Sequence, residues 1–374
     1  MNNSIKPRIN VGLVGCGVIS PTYLTNIREN YNDIINIIAC SDLSSDLAYK
    51  TSKNFEIPKI LTFEELLEES NIEVILNLTP PNAHAPITIK AIEAGKHVYS
   101  EKPLAIELKD GQKIIDKAIE NHVMVGCATD TILGPGIQTC RKIIEEGIIG
   151  EPTAVITIQG NRGHEGWHPN AEFYYQKGGG PIFDMGPYYL STLINLLGPV
   201  KRVTGSHKKT FSKRTKKNNT TINVEVPTHV VGILDFQSGV IGNIFNSFDT
   251  FQPTCNNYIE IYGTTGTLTV PNPNSFNGPI NLLTRNNNNE MERKEVSLAY
   301  DEEGAARGIG LVEMAWAIKD QRICRTNANI ANHVLEIIHA VHQASDAEKH
   351  ITLNTTCEQP NMLPIGMSKG VFNQ

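Results

Sequence analysis

Two glycines near the start of the chain have the spacing of a dinucleotide-binding loop. An apolar run leads into Gly15, Gly17 follows, and a helical stretch begins at Ile19. A glycine turn between a strand and a helix lets the backbone approach a pyrophosphate, which the N-terminus of the helix stabilises. Ser20 stands where such loops usually carry a third glycine, and glycines also occur at this kind of turn without any ligand.

An acidic residue supports the dinucleotide interpretation. Asp42 follows the second apolar run, 25 residues after Gly17. A carboxylate there can accept hydrogen bonds from both ribose hydroxyls of NAD and repels the 2′-phosphate of NADP. Leu43, Ser44 and Ser45 offer no cation for that phosphate. The sequence therefore predicts NAD rather than NADP, with a helix N-cap as the alternative role for Asp42.

A second group of residues could take the proton of an alcohol while a nicotinamide accepts the hydride. Lys102 follows a short apolar run, and it could accept this proton if burial beside a cation favours its neutral amine. Asp184 could orient Lys102 or hold a substrate hydroxyl. Tyr188 comes four residues later, so one continuous helix would place both side chains on one face. The alternatives are a surface lysine, a charge at a helix start and a packed core tyrosine.

The stretch 161–176 between these groups is rich in flat rings and hydrogen-bonding tips, which suit a sugar. Arg162, His164, Trp167 and His168 are its candidate substrate ligands, and His168 is also a second candidate for proton transfer. The alternative is a loop packed by its own aromatic residues. His164 and His168 have a spacing that a metal could use, but no acidic set completes such a site, so we expect no metal.

The elements that must position these residues change in type near residue 128. Before it, short apolar runs alternate with helical stretches, which predicts a parallel sheet covered by helices. After it, connected strand patterns predict an antiparallel sheet with helices. We therefore expect an α/β domain over 1–128 and an α+β domain over 129–374. The predicted helices of the first domain cover 19–29, 44–54, 63–70, 85–94 and 107–120, and those of the second cover 136–147, 181–197, 311–321 and 328–344.

Composition limits the class of protein. The chain has 374 residues, of which 40% are hydrophobic and 19% charged, which fits two globular domains and excludes a disordered chain. A net charge of −6 makes nucleic acid an unexpected partner. No apolar run approaches the ~18 residues that span a bilayer, and the seven cysteines form no CxxC pair. We expect a cytoplasmic protein with no membrane partner, whose basic run 207–217 is a solvated loop and whose residues 286–289 form a hairpin tip.

Three further motifs carry a family resemblance. They read TPPNAH at 79–84, EKP at 101–103 and GGGPIFDMG at 178–186. In this order, and together with the glycine loop, they resemble the Gfo/Idh/MocA family of oxidoreductases. The resemblance implies an N-terminal Rossmann domain and a C-terminal α+β domain with a large, mainly antiparallel sheet. It also implies NAD(P)-dependent oxidation or reduction of a sugar, polyol or sugar derivative, in a homodimer or homotetramer.

The resemblance also implies roles for single residues. The lysine of the second motif, Lys102, lies between nicotinamide and substrate in relatives, and the aspartate of the third, Asp184, assists it. The family's usual histidine, four positions after that aspartate, is Tyr188 here, and the usual acidic residue after it is Ser191. The residues expected to bind the cofactor are Gly15, Gly17, Val18, Ile19, Asp42, Thr79, Pro80, Asn82, His84, Glu101 and Lys102.

These features predict an NAD-dependent dehydrogenase acting on a secondary hydroxyl of a sugar, cyclitol or glycoside. Two other functions stay open. One is glycoside cleavage, in which transient oxidation at C3 acidifies the C2 proton and allows elimination. The other is a non-catalytic regulator that senses NAD.

Overall fold

The computed structural model describes residues 6–366 and 369–372, which fall into two compact units. The first contains the described residues up to Gly134, Tyr300–Asn332 and those from Pro360 onward. The second contains Pro135–Ala299 and His333–Gln359. Both units are therefore discontinuous in sequence, whereas the predicted domains are continuous. The difference arises because a helix over Ile309–Lys319, buried around most of its surface, belongs to the core of the first unit.

The first unit is built on a parallel sheet of six strands among the described residues. Their order is β3-β2-β1-β4-β5-β6, and every neighbouring pair is parallel. This order reverses direction between β1 and β4, which is the point where doubly wound sheets bind ligands. The strands are β1 (Ile9–Val14), β2 (Ile35–Ser41), β3 (Lys59–Ile60), β4 (Val74–Asn77), β5 (His97–Ser100) and β6 (Val125–Cys127).

Five helices alternate with these strands, as the sequence predicts. Their bounds lie close to the predicted ones, except that the fourth begins earlier, at Pro81, because proline is well suited to a first helical turn. The helices are α1 (Ser20–Asn30), α2 (Ser45–Phe55), α3 (Phe63–Glu68), α4 (Pro81–Glu93) and α5 (Leu108–Glu120). The Rossmann fold is confirmed.

The second unit is built on a nine-stranded sheet within the described residues. Its order is β16-β15-β14-β13-β7-β12-β11-β8-β17, and every pairing is antiparallel except that of β7 with β12. The large, mainly antiparallel sheet is therefore also confirmed. Its strands are β7 (Pro152–Gly160), β8 (Val200–Lys208), β11 (His229–Phe236), β12 (Ile241–Ser247), β13 (Tyr258–Gly263), β14 (Thr267–Val270), β15 (Ile280–Arg285), β16 (Met291–Val296) and β17 (Ile351–Thr352).

The remaining elements are helices and one small hairpin. Residues 286–289 form the tip between β15 and β16, as predicted. The hairpin and helices are β9 (Lys213–Thr215), β10 (Thr221–Asn223), α6 (Pro135–Glu145), α7 (Pro181–Asp184), α8 (Gly186–Leu197), α9 (Ile309–Lys319) and α10 (Ala328–Ala347).

Two predictions of local structure are wrong. The helix expected over 181–197 is broken at Met185 into α7 and α8. Pro187 explains the break, because proline lacks the N–H that a continuous helix would use and its ring clashes with the preceding turn. The basic run 207–217 is also not a solvated loop throughout, since it contributes to β8 and forms β9.

One face of the large sheet is open. Along β11, Val230, Leu234 and Phe236 are buried, while Ile233 on the opposite face is 44% exposed. This alternation is typical of an antiparallel sheet covered on one side only. None of the helices in the described part of the chain is long and apolar enough to cross a membrane.

Candidate active site and family

The loop between β1 and α1 has the backbone that dinucleotide binding requires. Gly15 has a φ of 95°, and a Cβ there would lie 2.6 Å from the carbonyl carbon of Leu78, so only glycine fits. At Gly17 a Cβ would meet no atom within 4 Å, so open space faces this stretch of backbone. α1 starts without a side-chain hydrogen bond from its N-cap Ile19, which leaves this helix end suited to an anion. Val18, between Gly17 and Ile19, is 81% exposed.

Asp42 ties this glycine loop to the end of β2. Its Oδ2 accepts a hydrogen bond from the Cys16 N–H at 2.7 Å, and its Oδ1 accepts one from the Ser44 N–H at 2.8 Å. The capping role belongs to Ser44, whose side chain accepts from the Leu47 N–H at the start of α2. Because each carboxylate oxygen can accept a further hydrogen bond, Asp42 remains able to bind a ribose hydroxyl.

A buried imidazole bridges the loops that follow β4 and β5. His84 Nδ1 lies 2.6 Å from the carbonyl oxygen of Pro103, and Nε2 lies 2.7 Å from that of Thr79. Pro80 and Asn82 lie at the start of α4, in the same stretch. His84 therefore holds together the motifs TPPNAH at 79–84 and EKP at 101–103.

The carboxylate of Glu101 fixes the main chain at Lys102. Its Oε2 accepts the Lys102 N–H at 2.9 Å, and its Oε1 accepts the Tyr23 hydroxyl at 2.7 Å. Burial, together with the charge of Glu101, raises the pKa of Tyr23 well above its usual value, so the phenol remains a donor. Lys102 thus lies just after the carboxyl end of β5, at the same edge of the sheet as Gly15 and Asp42.

In the second unit, the structure pairs Asp184 with a histidine from the loop 161–176. His164 Nε2 lies 3.0 Å from Asp184 Oδ2, and the two side chains are 9% and 14% exposed. The sequence predicts a substrate-binding role for His164 and does not indicate this pairing. Twenty residues separate the partners, so no helix or strand periodicity could have indicated it.

His168, the other histidine of this loop, has different neighbours. Its Nδ1 accepts a hydrogen bond from the Asn170 N–H at 3.1 Å, and its ring packs edge-on against Trp167, Phe173 and Tyr174. Burial is the main cause that lowers the pKa of His168. The packing of loop aromatics on one another, which was the alternative to substrate binding, is therefore present, although Trp167 itself is 65% exposed.

Tyr188 lies in the first turn of α8 and is 7% exposed. Its predicted relation to Asp184 assumed one continuous helix, whereas Asp184 ends α7 and Tyr188 follows the break at Met185. The two residues therefore do not share the face of one continuous helix.

An ion network that the sequence pattern does not indicate anchors the loop. Arg214 of β9 pairs with Glu165 at 3.0 Å and with Asp249, and it donates to the carbonyl oxygens of Arg162 and Phe248, both at 2.9 Å. Arg214 is about 10% exposed, so this residue of the basic run is a buried structural cation. Arg162 extends outwards, with its guanidinium 4.3 Å from the centre of an exposed phenylalanine ring.

Within residues 6–366 and 369–372, no group of histidine, cysteine and acidic side chains has the arrangement of a metal site. The glycine loop, Asp42 and the loops after β4 and β5 instead fit a dinucleotide, because they combine open backbone, a helix N-terminus and an acceptor carboxylate at one sheet edge.

Comparison with known proteins agrees with this geometry. Residues 9–129 match the family described as an oxidoreductase family with an NAD-binding Rossmann fold, and residues 137–269 match the Gfo/Idh/MocA C-terminal domain. The chain belongs to the Gfo/Idh/MocA family. The resemblance inferred from the three motifs is thus confirmed, and the protein is an oxidoreductase with an NAD-binding first unit.

Several known proteins are similar to this chain. A 1,5-anhydro-D-fructose reductase of Ensifer adhaerens is 28% identical over 264 residues, which cover 69% of this chain and 74% of the relative. A myo-inositol 2-dehydrogenase of Thermotoga maritima is 24% identical over 70% of this chain and 75% of its own length. Levoglucosan dehydrogenase, solved with NADH and L-sorbose, has a TM-score of 0.82 at 19% identity, covering 93% of this chain and 99% of that one, which shows a shared fold.

Proposed function

We propose that this protein uses NAD to oxidise a secondary hydroxyl group of a sugar, cyclitol or glycoside. The observation that carries the proposal is the single sheet edge on which Gly15, Asp42 and Lys102 lie, in a chain of this oxidoreductase family. The named activities of the two sequence relatives, on an anhydrosugar and on an inositol, support this substrate class.

The first unit would hold the cofactor. The backbone from Gly15 to Ile19 would bind the pyrophosphate, and Asp42 would accept from the ribose hydroxyls and disfavour NADP. The loops bridged by His84 would complete the site, with contacts from Thr79, Pro80, Asn82 and Glu101. When bound, NAD supplies the nicotinamide ring that accepts a hydride.

The chain's own side chains would handle the proton. Oxidation of a secondary alcohol to a ketone with NAD produces NADH and one proton, so a base must take the hydroxyl proton as the C–H bond breaks. We assign that step to the Lys102 amine, whose main chain Glu101 fixes. Asp184 would accept a hydrogen bond from the substrate, and the exposed ring of Trp167 with Arg162 would bind the sugar.

A substrate panel tests the proposal. The purified protein is incubated with NAD and a panel of inositols, aldoses, anhydrosugars and glycosides, and NADH formation is followed by its absorbance. We expect turnover of at least one member, with a keto product identified by mass spectrometry. Release of an aglycone without net NADH would instead indicate redox-assisted glycoside cleavage. Tight NAD binding without any turnover would indicate a regulator.

Removal of the Lys102 amine provides the residue-level test. Lys102→Met keeps the length of the side chain and should lower kcat by about 10²-fold or more, the usual scale for a general acid–base group. NAD affinity, measured by NADH fluorescence, should change much less. Lys109→Met, at an exposed position on α5, is the matched control and should keep full activity. A Lys102→Met enzyme with near-normal kcat would remove Lys102 from the mechanism.

We also propose that copies of the chain associate through the open face of the large sheet, as a homodimer or homotetramer. Ile156 of β7, Ile233 of β11 and Ile241 of β12 are 37–57% exposed, and the strands that carry them are neighbours. Contiguous exposed apolar surface of this kind usually marks an interaction site.

A further inference from the structure

We propose that His164 takes the place of the histidine that the family usually carries at position 188 and acts as the positioning residue of Asp184. The inference rests on the proposed function, since Asp184 is expected to contact the substrate hydroxyl. The decisive observation is the 3.0 Å contact between His164 Nε2 and Asp184 Oδ2, with both side chains largely buried.

The chemistry of the contact fixes the tautomer of the imidazole. An ionised carboxylate only accepts hydrogen bonds, so Nε2 must carry a proton and donate it to Asp184. Nδ1 of His164 is buried and has no hydrogen-bond partner among the described residues. The Nε2–H is therefore directed at Asp184, where this fixed donor orients the carboxylate.

Aromatic rings shield this hydrogen bond from water. The ring centre of His164 lies 4.0 Å from that of Tyr174, 4.7 Å from that of Phe248 and 5.3 Å from that of Trp167. A hydrogen bond in such surroundings is electrostatically stronger than the same bond in water. The enclosure therefore favours one orientation of the carboxylate.

Hydrogen bonds also fix the main chain around His164. The Tyr175 hydroxyl oxygen accepts the His164 N–H at 3.2 Å, and the His164 carbonyl oxygen accepts the N–H groups of Trp167 and His168 at 3.1 and 2.9 Å. Tyr175 in turn donates to Glu165, which Arg214 binds. The imidazole is thus placed by a buried network rather than by a freely moving loop.

The charged and titratable groups facing His164 come from three stretches of chain. Asp184 lies at the end of α7, His168 and Glu165 lie in the same loop, and Tyr174 and Tyr175 lie in the short helix Ala171–Tyr175. Phe248, just after β12, contributes an apolar ring. Among these groups, Asp184 is the acceptor that the His164 Nε2–H reaches.

Two substitutions at His164 separate a positioning role from a merely structural one. His164→Gln keeps a terminal N–H near the place of Nε2, whereas His164→Leu removes the donor at similar size. We expect His164→Leu to lower kcat/KM by roughly 10- to 100-fold, the scale of a misplaced reacting group. His164→Gln should recover most of this loss, and NADH affinity should be unchanged in both.

Two control variants test the rival side chains on the same substrate. His168→Gln makes the same substitution four residues later, and Tyr188→Phe deletes only the hydroxyl of the residue at the family's histidine position. Each should lose less activity than His164→Leu. Normal activity in His164→Leu, or a larger loss in either control than in His164→Leu, would overturn the assignment.

A measurement without substrate or cofactor keeps the inference separate from the proposed function. In protein labelled with ¹⁵N-histidine, the imidazole shifts at neutral pH should show His164 protonated at Nε2, and Asp184→Ala should remove that preference. An Nδ1-protonated His164 in the wild type would contradict the pairing. If no sugar is oxidised but this spectrum is as expected, the proposed function fails while the pairing stands.

Discussion

At the scale of single residues, Asp42 is the group that should decide between the two nicotinamide cofactors. Its carboxylate is already fixed by the backbone N–H groups of Cys16 and Ser44, so it cannot turn away from a 2′-phosphate without breaking both hydrogen bonds. The neighbouring Leu43 side chain is fully exposed and supplies no cation.

We therefore expect kcat/KM to be larger with NAD than with NADP, and the double variant Asp42→Ser/Leu43→Arg to shift this ratio towards NADP. Loss of like-charge repulsion and gain of a guanidinium both favour the phosphate. Leu43→Arg alone is the control, since it keeps the carboxylate. Equal use of both cofactors by the wild type would contradict the role of Asp42.

The site residues of the first unit could be predicted from the sequence because each of them follows a strand. Gly15, Asp42 and Lys102 each come directly after an apolar run, and parallel strands bring such positions to one edge of a sheet. The pairing of His164 with Asp184 could not be predicted in this way. It depends on the fold of an irregular loop, for which the sequence offered residue types but no periodicity.

At the scale of elements, the hairpin of β9 and β10 supports the loop that carries His164. Arg214 is its anchor, because the buried carboxylates of Glu165 and Asp249 both depend on its charge. The sequence predicts a solvated run at 207–217, because successive basic residues are usually exposed to solvent. Arg214 turns inwards instead, towards Glu165 and Asp249, which are too distant in sequence for any periodicity to indicate the pairing.

Replacement of this anchor should destabilise the protein. Arg214→Met leaves two largely buried carboxylates without their cation, and we expect a loss of about 3 kcal/mol of unfolding free energy, the lower end of the range for a broken buried ion pair. The measurement is urea denaturation at neutral pH. Lys217→Met, at an exposed position of the same run, should change the unfolding free energy by no more than about 0.5 kcal/mol. Equal stability of Arg214→Met and the wild type would show that the network is not structural.

Contacts of α10 with the start of β8 and with the segment after β17 predict a pH dependence of stability. His333 Nε2 accepts the Val200 N–H at 3.2 Å, and Nδ1 lies 2.8 Å from Thr355 Oγ1. Protonation at Nε2 would break the first of these bonds. Burial lowers the pKa of His333 to about 4, from an ordinary value of 6.5.

Because the pKa of His333 is lower in the folded state, the unfolded chain binds more protons between pH 4 and 6.5. Stability attributable to this residue is therefore lost as pH falls through that window, at up to ~1.4 kcal/mol per pH unit. His333→Gln should reduce the slope of unfolding free energy against pH by about this amount, measured by urea denaturation. The exposed His350→Gln should leave the slope unchanged. Parallel curves for His333→Gln and the wild type would refute the assignment.

At the scale of the whole molecule, the open sheet face should determine the oligomeric state. We expect the wild type to sediment as a dimer or tetramer and Ile156→Lys/Ile233→Lys to shift it towards the monomer, since two charges would have to be buried in an apolar contact. Ile119→Lys, at a position 69% exposed on α5, is the control. A monomeric wild type, or an unchanged oligomer in the double variant, would refute the proposed surface.

Only part of the division of the chain into two units can be predicted from the sequence. The change of pattern near residue 128 follows from the strand and helix types on either side. The return of residues 300–332 to the first unit does not, because α9 carries an apolar sequence that any core could accept. Which of the two cores α9 packs into depends on the space that each core offers.

The proposed reaction moves a carbon-bound hydrogen of a sugar or cyclitol to NAD with the help of Lys102. The most direct test uses a substrate found in the panel, deuterated at the carbon that bears the reacting hydroxyl, with mass spectrometry of the NADH formed. We predict that the NADH formed carries one deuterium and that kcat/KM is smaller for the labelled substrate than for the unlabelled one. In Lys102→Met, formation of this labelled NADH should be strongly reduced. Unlabelled NADH, or no NADH from any member of the panel, would contradict this hydride transfer.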